Sequence, residues 1–123
     1  MTERLYEGMF LLDANEASKG WSELEGHIDS ILTRNSARLE LAERWPDQRL
    51  AYDIKGVRKG TYYLTYFRAP PDRISEIRRD AQLSERILRL LVIHEDFLEQ
   101  ELERRREVAA RRGREEPAAG APV

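Results

Sequence analysis

Hydrophobic and polar residues alternate at the start of the chain and then change to the spacing of a helix. The alternation over residues 4–12 predicts a strand with two distinct faces, Tyr6, Gly8, Phe10 and Leu12 on one and Leu5, Glu7, Met9 and Leu11 on the other. Asp13, Asn15 and Ser18 are residue types that cap helices. One helix is therefore predicted from there to Asn35, with a single apolar stripe formed by Trp21, Leu24, Ile28, Ile31 and Leu32.

The period returns to two over residues 37–45, which predicts a second strand. Pro46 and Asp47 follow it and are unfavourable inside a central strand. This strand is therefore expected at an edge of a sheet, with a bend or break at these two residues.

The segment 48–70 contains two aromatic-rich, strand-like runs joined by a short turn. Gly56 and Gly60 permit the chain to reverse, and the turn carries the cations Lys55, Arg58 and Lys59. Tyrosines flank these cations at positions Tyr52, Tyr62, Tyr63 and Tyr66. Basic and aromatic groups on a stiff ribbon suit a phosphate backbone with exposed bases, although the same composition also builds an ordinary edge hairpin.

Two further elements complete the pattern. Prolines at 70 and 71 end the hairpin and begin a second helix, whose apolar positions are Ile74, Ile77 and Ala81. Residues 86–94 predict a strongly apolar last strand, interrupted by Arg89. The order is strand, helix, strand, strand, helix, strand, which indicates an α+β fold, the ferredoxin-like βαββαβ sandwich. A four-stranded antiparallel sheet then has two helices on one face, and Arg89 is expected to mark the face without helices.

Residues 1–97 are expected to form this domain, and residues 98–123 a charged C-terminal tail. Glu and Arg predominate up to Glu116, with a thin apolar line of Leu98, Leu102 and Ala109. This composition favours a solvated helix supported by Glu–Arg pairs. The segment 117–122 is rich in Pro, Ala and Gly and is expected to be disordered.

The composition narrows the possible classes of protein. A chain of 123 residues is expected to form one domain, and with no cysteine it has neither disulfides nor thiolate chemistry. The charged N-terminus differs from a signal peptide, and no apolar run approaches the roughly 20 residues of a membrane span. A soluble, cytoplasmic protein is expected.

The charges are distributed unevenly along the chain. Residues 1–48 hold ten acidic and five basic side chains, whereas residues 49–89 hold ten basic and five acidic ones, a net of −5 against +5. This asymmetry indicates a surface that faces a polyanion, and a chance imbalance among solvated charges is the plain alternative.

Catalytic and metal-binding signatures are missing. His27 and His94 have no partner at ligand spacing, and both are expected to be packing or surface residues. The segment 56–61 lacks the order of a phosphate-binding loop, since its lysine precedes the second glycine and a strand follows. Small acyl-phosphate hydrolases share the predicted fold, but their glycine-rich loop with its arginine is absent after the first strand. The protein is expected to be no enzyme and to use no metal and no cofactor.

Alternation in the hairpin leaves one question open. Tyr62 and Tyr66 share one side of their strand, and Tyr63 and Phe67 share the other. One pair belongs to the core, which leaves the other for stacking or for a protein contact.

Several of these features together resemble the bacterial small-subunit ribosomal protein S-six family. The resemblance rests on Tyr6-Glu7 in the first strand, the segment 49–52 (Arg-Leu-Ala-Tyr) with Ile54, the glycine-then-tyrosines run and the last strand. It covers roughly residues 4–95 in the same order of elements. It implies a non-enzymatic structural protein with the ferredoxin-like fold.

The resemblance also implies partners and contact residues. Members of the family bind the central domain of small-subunit ribosomal RNA and pair with small-subunit protein eighteen. Matching positions make Arg4, Tyr6, Arg49, Tyr52 and Arg89 the leading candidates for contacts with RNA or the protein partner. Lys55, Arg58 and Lys59 are added on charge and location alone. The competing hypothesis is a ferredoxin-like regulatory or oligomerisation module that binds a small ligand or itself.

Overall fold

The computed structural model describes the backbone of residues 2–119 and the side chains of residues 2–112. It contains four strands: β1 (Arg4–Asp13), β2 (Arg38–Ile54), β3 (Val57–Ala69) and β4 (Ile87–Ile93). The helices are α1 (Ala14–Lys19), α2 (Trp21–Arg34), α3 (Ile74–Leu83) and α4 (Leu98–Ala119), with one 3₁₀ turn, Pro71–Arg73, before α3.

The strands form one sheet in the order β2-β3-β1-β4, and every neighbouring pair is antiparallel. This topology confirms the ferredoxin-like fold predicted from the order of elements. It also confirms that β2 is an edge strand. The β2–β3 register shifts between Arg44 and Asp47, where the bend was expected at Pro46.

The main core lies between the sheet and the helices α2 and α3. The first face of β1 supplies Tyr6, Phe10 and Leu12 to this core, as the alternation predicted. The opposing helices contribute the predicted stripes, which include Ile28 and Ile77. Tyr63 and Phe67 from β3 belong to the same core.

The helical region after β1 differs from the prediction. One helix was expected, but Gly20 divides it into α1 and α2. Asp13 caps α1 by accepting a hydrogen bond from the Asn15 amide at 2.9 Å. Glycine has a low helix propensity, and here the backbone of Gly20 is extended, which ends one helix and begins the next.

The hairpin turn is shorter than predicted. Only Lys55 and Gly56 make the reversal, with φ values of 52° and 79°, as in the tight turns that join twisted strands. Gly60 lies inside β3 and has a different role. A Cβ atom at Gly60 would lie 2.6 Å from Leu11 Cδ1 and 3.0 Å from Leu50 Cδ2. Gly60 therefore permits close packing on the sheet and takes no part in the turn.

The expectation of a sheet face without helices was wrong. α4 packs across the second face of the sheet, the one opposite α2 and α3. Leu98 and Leu102 are each 1% exposed and pack in a second core with Leu5, Leu64 and Tyr66. Two leucines four residues apart are enough to give α4 an apolar contact with the sheet, because they lie on the same side of the helix. α4 extends to Ala119, into the start of the segment expected to be disordered, and residues 120–122 lie outside the described residues.

Charged groups attach α4 to the sheet as well. Glu99 forms two hydrogen bonds with the Arg68 guanidinium, at 2.8 and 2.9 Å. Glu40 of β2 lies within 4.0 Å of three guanidinium groups, those of Arg38, Arg68 and Arg106. A single half-buried carboxylate thus connects β2, β3 and α4.

Replacing Gly8 with alanine is expected to destabilise the fold. A Cβ atom there would lie 2.9 Å from both Phe67 Cε2 and Thr65 Oγ1, and these two side chains are fully buried. Overpacking of this kind costs roughly 1–3 kcal/mol. Urea denaturation should show this loss. The matched control is Gly26→Ala, at an exposed helical position with open space around it. This control should gain about 0.5–1 kcal/mol.

Acid is expected to loosen α4. The hydrogen bonds from Arg68 hold the pKa of Glu99 below its usual range. A depressed carboxyl pKa contributes stability that is present above the unfolded-state value of about 4.3 and is lost as pH falls through the folded-state value. The protection factors for amide exchange across residues 98–105, which correct for the intrinsic dependence of exchange on pH, should therefore fall below about pH 4. Glu99→Gln should remove most of this pH dependence, and an unchanged profile in that variant would contradict the assignment.

Candidate RNA and protein interface

Six of the eight predicted site residues cluster near the turn of the β2–β3 hairpin. Beyond Arg49 the β2–β3 register shifts again, and pairing resumes only at Ile54 with Val57. This irregular part of β2 reaches back towards β4, so that the Arg89 guanidinium lies 5.4 Å from the centre of the Tyr52 ring. Residues far apart in the sheet order are thereby brought together, with a cation over an aromatic face.

One side of the hairpin tip forms a small basic depression, named the cationic groove. It has a volume of about 420 Å³ and contains Arg49, Arg58 and Lys59. Its remaining lining comes from the junction of β1 and α1, at Asp13 and Asn15, and from the hairpin tip itself, at Gly56 and Val57. Three cations around one concave surface favour an anionic ligand such as a phosphate.

The other side of the tip forms a larger depression, named the edge groove. Its volume is about 1010 Å³, and it runs from the hairpin across β4 to α3. Tyr52, Lys55 and Arg89 line it together with apolar side chains such as Leu50 and Leu91. Tyr52 is 59% exposed and Leu91 is 66% exposed, so aromatic and aliphatic surface is open to solvent here.

Most cations of the two grooves are free to bind a ligand. Arg58 lies 3.8 Å from Asp53, and both side chains are well exposed, so this ion pair is weak. Among residues 2–112, Arg49, Lys55, Lys59 and Arg89 have no carboxylate within 4.0 Å. These four cations therefore gather at one end of the sheet, in which Arg68 lies at the other end and is paired with Glu99.

Two predicted contact residues lie elsewhere. Tyr6 is 7% exposed and packs in the main core, between the rings of Phe67 at 5.8 Å and His94 at 5.4 Å. Arg4 is exposed, but it begins β1, whereas Leu11 pairs with Arg89 near the other end of that strand. At 3.3 Å per residue, Arg4 is about 23 Å along β1 from Leu11. The structure does not bring these two residues to the others.

The open question about the tyrosine pairs now has an answer. Tyr63 and Phe67 are in the main core, but Tyr66 of the other pair is buried beneath α4, where its hydroxyl accepts a hydrogen bond from Arg105 Nε at 3.3 Å. Tyr62 packs against Trp45, with ring centres 6.1 Å apart. The aromatic ring that is most available for stacking is consequently Tyr52.

Sequence reasoning missed some residues of the edge groove. The apolar sequence of β4 suggests that Leu91 is a core residue. In the structure, Leu91 faces solvent and pairs with Met9 of β1. Arg78 of α3 donates a hydrogen bond to the Val92 carbonyl oxygen at 3.3 Å. The alternation of residues in β4 was the available signal for Leu91, because it places Leu91 on the same face as Arg89.

The two histidines have packing roles, as predicted. His27 Nε2 lies 2.8 Å from Ser84 Oγ, and burial lowers the pKa of His27. His94 Nδ1 lies 2.8 Å from the Leu5 carbonyl oxygen. Within residues 2–112, no cluster of three or more His, Asp or Glu side chains is arranged to hold a metal ion. Among the described helices, none has the length and apolar character needed to cross a membrane.

Comparison with known protein families identifies the chain. The family described as Ribosomal protein S6 matches residues 5–94, which include all four strands except Arg4, the first residue of β1, as well as α1, α2 and α3. The chain belongs to the bacterial ribosomal protein S6 family. The match of the S6 family ends before α4, so the helix on the second face lies outside the part that defines the family.

Curated relatives of S6 agree with this assignment. The small ribosomal subunit protein bS6 of Campylobacter lari is 31% identical over 87% of this chain and 81% of its own length. The bS6 of Fusobacterium nucleatum is 29% identical over 76% of this chain and 99% of its own. For the bS6 of Rhodopirellula baltica, 31% identical, the alignment spans 74% of this chain and 65% of the relative.

Solved structures support the fold independently. The crystal structure of 30S ribosomal protein S6 from Thermotoga maritima aligns with a TM-score of 0.70 and 25% identity, covering 86% of this chain and 99% of that one. The C-terminal domain of the MgtC protein from Mycobacterium tuberculosis aligns with a TM-score of 0.53 at 10% identity, which is a likeness of fold alone. The chain is thus a structural, non-enzymatic ribosomal protein of the S6 family, as the resemblance predicted.

Proposed function

We propose that this protein binds the central domain of small-subunit ribosomal RNA together with small-subunit protein eighteen, as a structural component of the bacterial small ribosomal subunit. Its place of action is then the ribosome, in the cytoplasm. The observation that carries the proposal is the clustering, at the hairpin tip, of cations that are unpaired or only weakly paired, in a chain whose formal net charge is −2.

The cationic groove is the proposed RNA contact. Arg49, Arg58 and Lys59 line one concave surface at the hairpin tip, so they are placed to neutralise neighbouring phosphates. Elsewhere in the described chain, arginines such as Arg38, Arg68 and Arg106 are neutralised by glutamates at 2.6–3.0 Å. Cations that are held in no strong internal pair are available to displace counterions from RNA.

On the other side of the tip, the proposed contacts with RNA or with the protein partner are Tyr52, Lys55 and Arg89. The Tyr52 ring is exposed and already carries the Arg89 cation on one face. An exposed aromatic ring beside cations suits either an unstacked base or an apolar partner residue. Arg4, at the far end of β1, is proposed only as a separate peripheral contact.

Binding is expected to be cooperative with the partner. Each phosphate contact contributes modestly and weakens with salt, so a few cations alone support only weak binding to RNA. A composite surface with protein eighteen would add its own contacts. We therefore expect the RNA affinity of the isolated chain to be low and to rise strongly when the partner is present.

The test is sedimentation of the native protein through a sucrose gradient, followed by RNA binding with and without purified protein eighteen. The proposal expects co-migration with small subunits after a salt wash, and tighter RNA binding in the presence of the partner. If the protein stays at the top of the gradient and its RNA affinity is indifferent to the partner, the proposal fails. The rival regulatory or oligomerisation module predicts that result.

A further inference from the structure

The outer edge of β4 has the features of a binding site for an added strand. β4 ends the strand order, so within the described sheet no strand lies on its outer side. The hydrogen bond from Arg78 to the Val92 carbonyl shows that the backbone groups of Val92 point outwards. Because these groups alternate along an antiparallel strand, the amide and carbonyl of Leu90 point the same way.

The edge groove surrounds this edge from both sides. Arg89 and Leu91 line it from the second face of the sheet, while Arg78 and Gln82 of α3 line it from the other. An added strand would place alternate side chains on these two sides. Leu91 and Tyr52 offer exposed apolar surface to the side chains on one face of the added strand.

The positive charge of the edge groove favours an acidic ligand. Lys55, Arg78 and Arg89 line it, and no Asp or Glu is among its described lining residues. Pairing of this edge with a second copy of the chain would bring two such cationic sets together, which disfavours self-association. RNA offers no row of amides and carbonyls at strand spacing, so RNA suits the cationic groove better than this edge.

We infer that the β4 edge binds an extended protein segment in which carboxylate-bearing residues alternate with apolar ones. The segment forms backbone hydrogen bonds with Leu90, packs its apolar side chains on Leu91 and Tyr52, and pairs its carboxylates with Arg78 on the α3 side of the strand. This inference goes beyond the proposed RNA role, since it holds for whichever protein supplies the segment.

Peptide binding to the full-length chain tests the inference by NMR. The probe is a blocked peptide that alternates Glu and Val. We expect it to shift the β4 amides and to slow exchange of the Leu90 amide by about tenfold or more. The same peptide with Lys in place of Glu should bind at least about tenfold more weakly, because like charges then meet. A version with methylated backbone nitrogens should also fail, since it cannot donate to the strand edge.

Two exposed leucines provide a matched pair of variants. Leu91→Glu should weaken binding of the Glu–Val peptide by about tenfold or more. Leu83→Glu makes the same change at a residue that is 72% exposed and outside the edge groove, and it should leave binding unchanged. Arg78→Glu should shift the preference towards the Lys–Val peptide.

Several results would overturn the inference. The first two are unaltered exchange of the Leu90 amide at saturating peptide and equal peptide binding by the Leu91→Glu and Leu83→Glu variants. The third is protection of the Leu90 amide by an RNA fragment and not by the peptide. The fourth is a dimer in sedimentation equilibrium that Leu91→Glu abolishes. The assay contains neither ribosomes nor protein eighteen, so its failure would leave the proposed RNA function standing. Equally, failure of ribosome association would leave the peptide result standing.

Discussion

Reversing the charge of Arg49, Arg58 and Lys59 together, each to Glu, is expected to lower the affinity for small-subunit ribosomal RNA by about 100-fold or more at low salt. These cations line one groove, and reversal replaces attraction of phosphate by repulsion. Loss of three phosphate contacts should also reduce the slope of log affinity against log salt by about 2–3. Fluorescence titration with protein eighteen present, over a range of salt concentrations, measures both quantities.

A matched control separates this effect from net charge. Arg73, Arg79 and Arg112 are exposed, and they lie outside both grooves. Changing these three to Glu alters the total charge equally, but we expect it to leave the salt slope nearly unchanged. If both triple variants lose the same affinity and slope, the cationic groove has no special role in RNA binding.

Placing a carboxylate in the second core, by Leu102→Glu, is expected to detach α4 from the sheet. Leu102 packs with Leu5, Leu64 and Tyr66, so the change removes apolar contacts and opposes burial of a charge. Together these costs amount to roughly 3–5 kcal/mol in the free energy of unfolding. Denaturant unfolding should show the loss, and Leu83→Glu, at an exposed position, should stay within about 0.5 kcal/mol of the parent.

Tyr66 provides a second measurement of the same event. Burial raises the pKa of the Tyr66 phenol, chiefly because α4 and the sheet exclude water from it. When α4 detaches, this pKa should fall towards the ordinary tyrosine value of about 10. Spectrophotometric titration of Leu102→Glu should therefore show one additional tyrosine titrating normally. A variant that loses stability without this change would place the damage elsewhere in the fold.

Local periodicity was sufficient to predict the sheet. The alternation around Phe10 identified both faces of β1, and Pro46 located the irregular edge strand, because these signals depend only on neighbouring residues. The division at Gly20 was missed, since the apolar stripe continues through α2 and one glycine is a weak signal against it. The docking of α4 was missed because Leu98 and Leu102 are two apolar residues in a highly charged run.

The candidate site was only partly predictable. Cations near the hairpin were visible in the sequence, but their division into two grooves depends on how β2 deviates from β3 beyond Arg49. The contact of Arg89 with Tyr52 crosses the sheet, and no local pattern indicates it. Tyr6 shows the converse error, since its matching family position suggested a contact and its burial makes it a core residue.

The shared carboxylate of Glu40 has a consequence for mutational surveys. Removing Arg38, Arg68 or Arg106 singly leaves two guanidinium groups on the same acceptor. Each single removal is therefore expected to have little effect on stability. Removing Glu40 instead removes the acceptor that all three share, and each guanidinium keeps only its other carboxylate partner, which is Glu3, Glu99 or Glu103. A scan of single arginines would rate this cluster as dispensable, although Glu40 is the one acceptor that links β2, β3 and α4 at the same time.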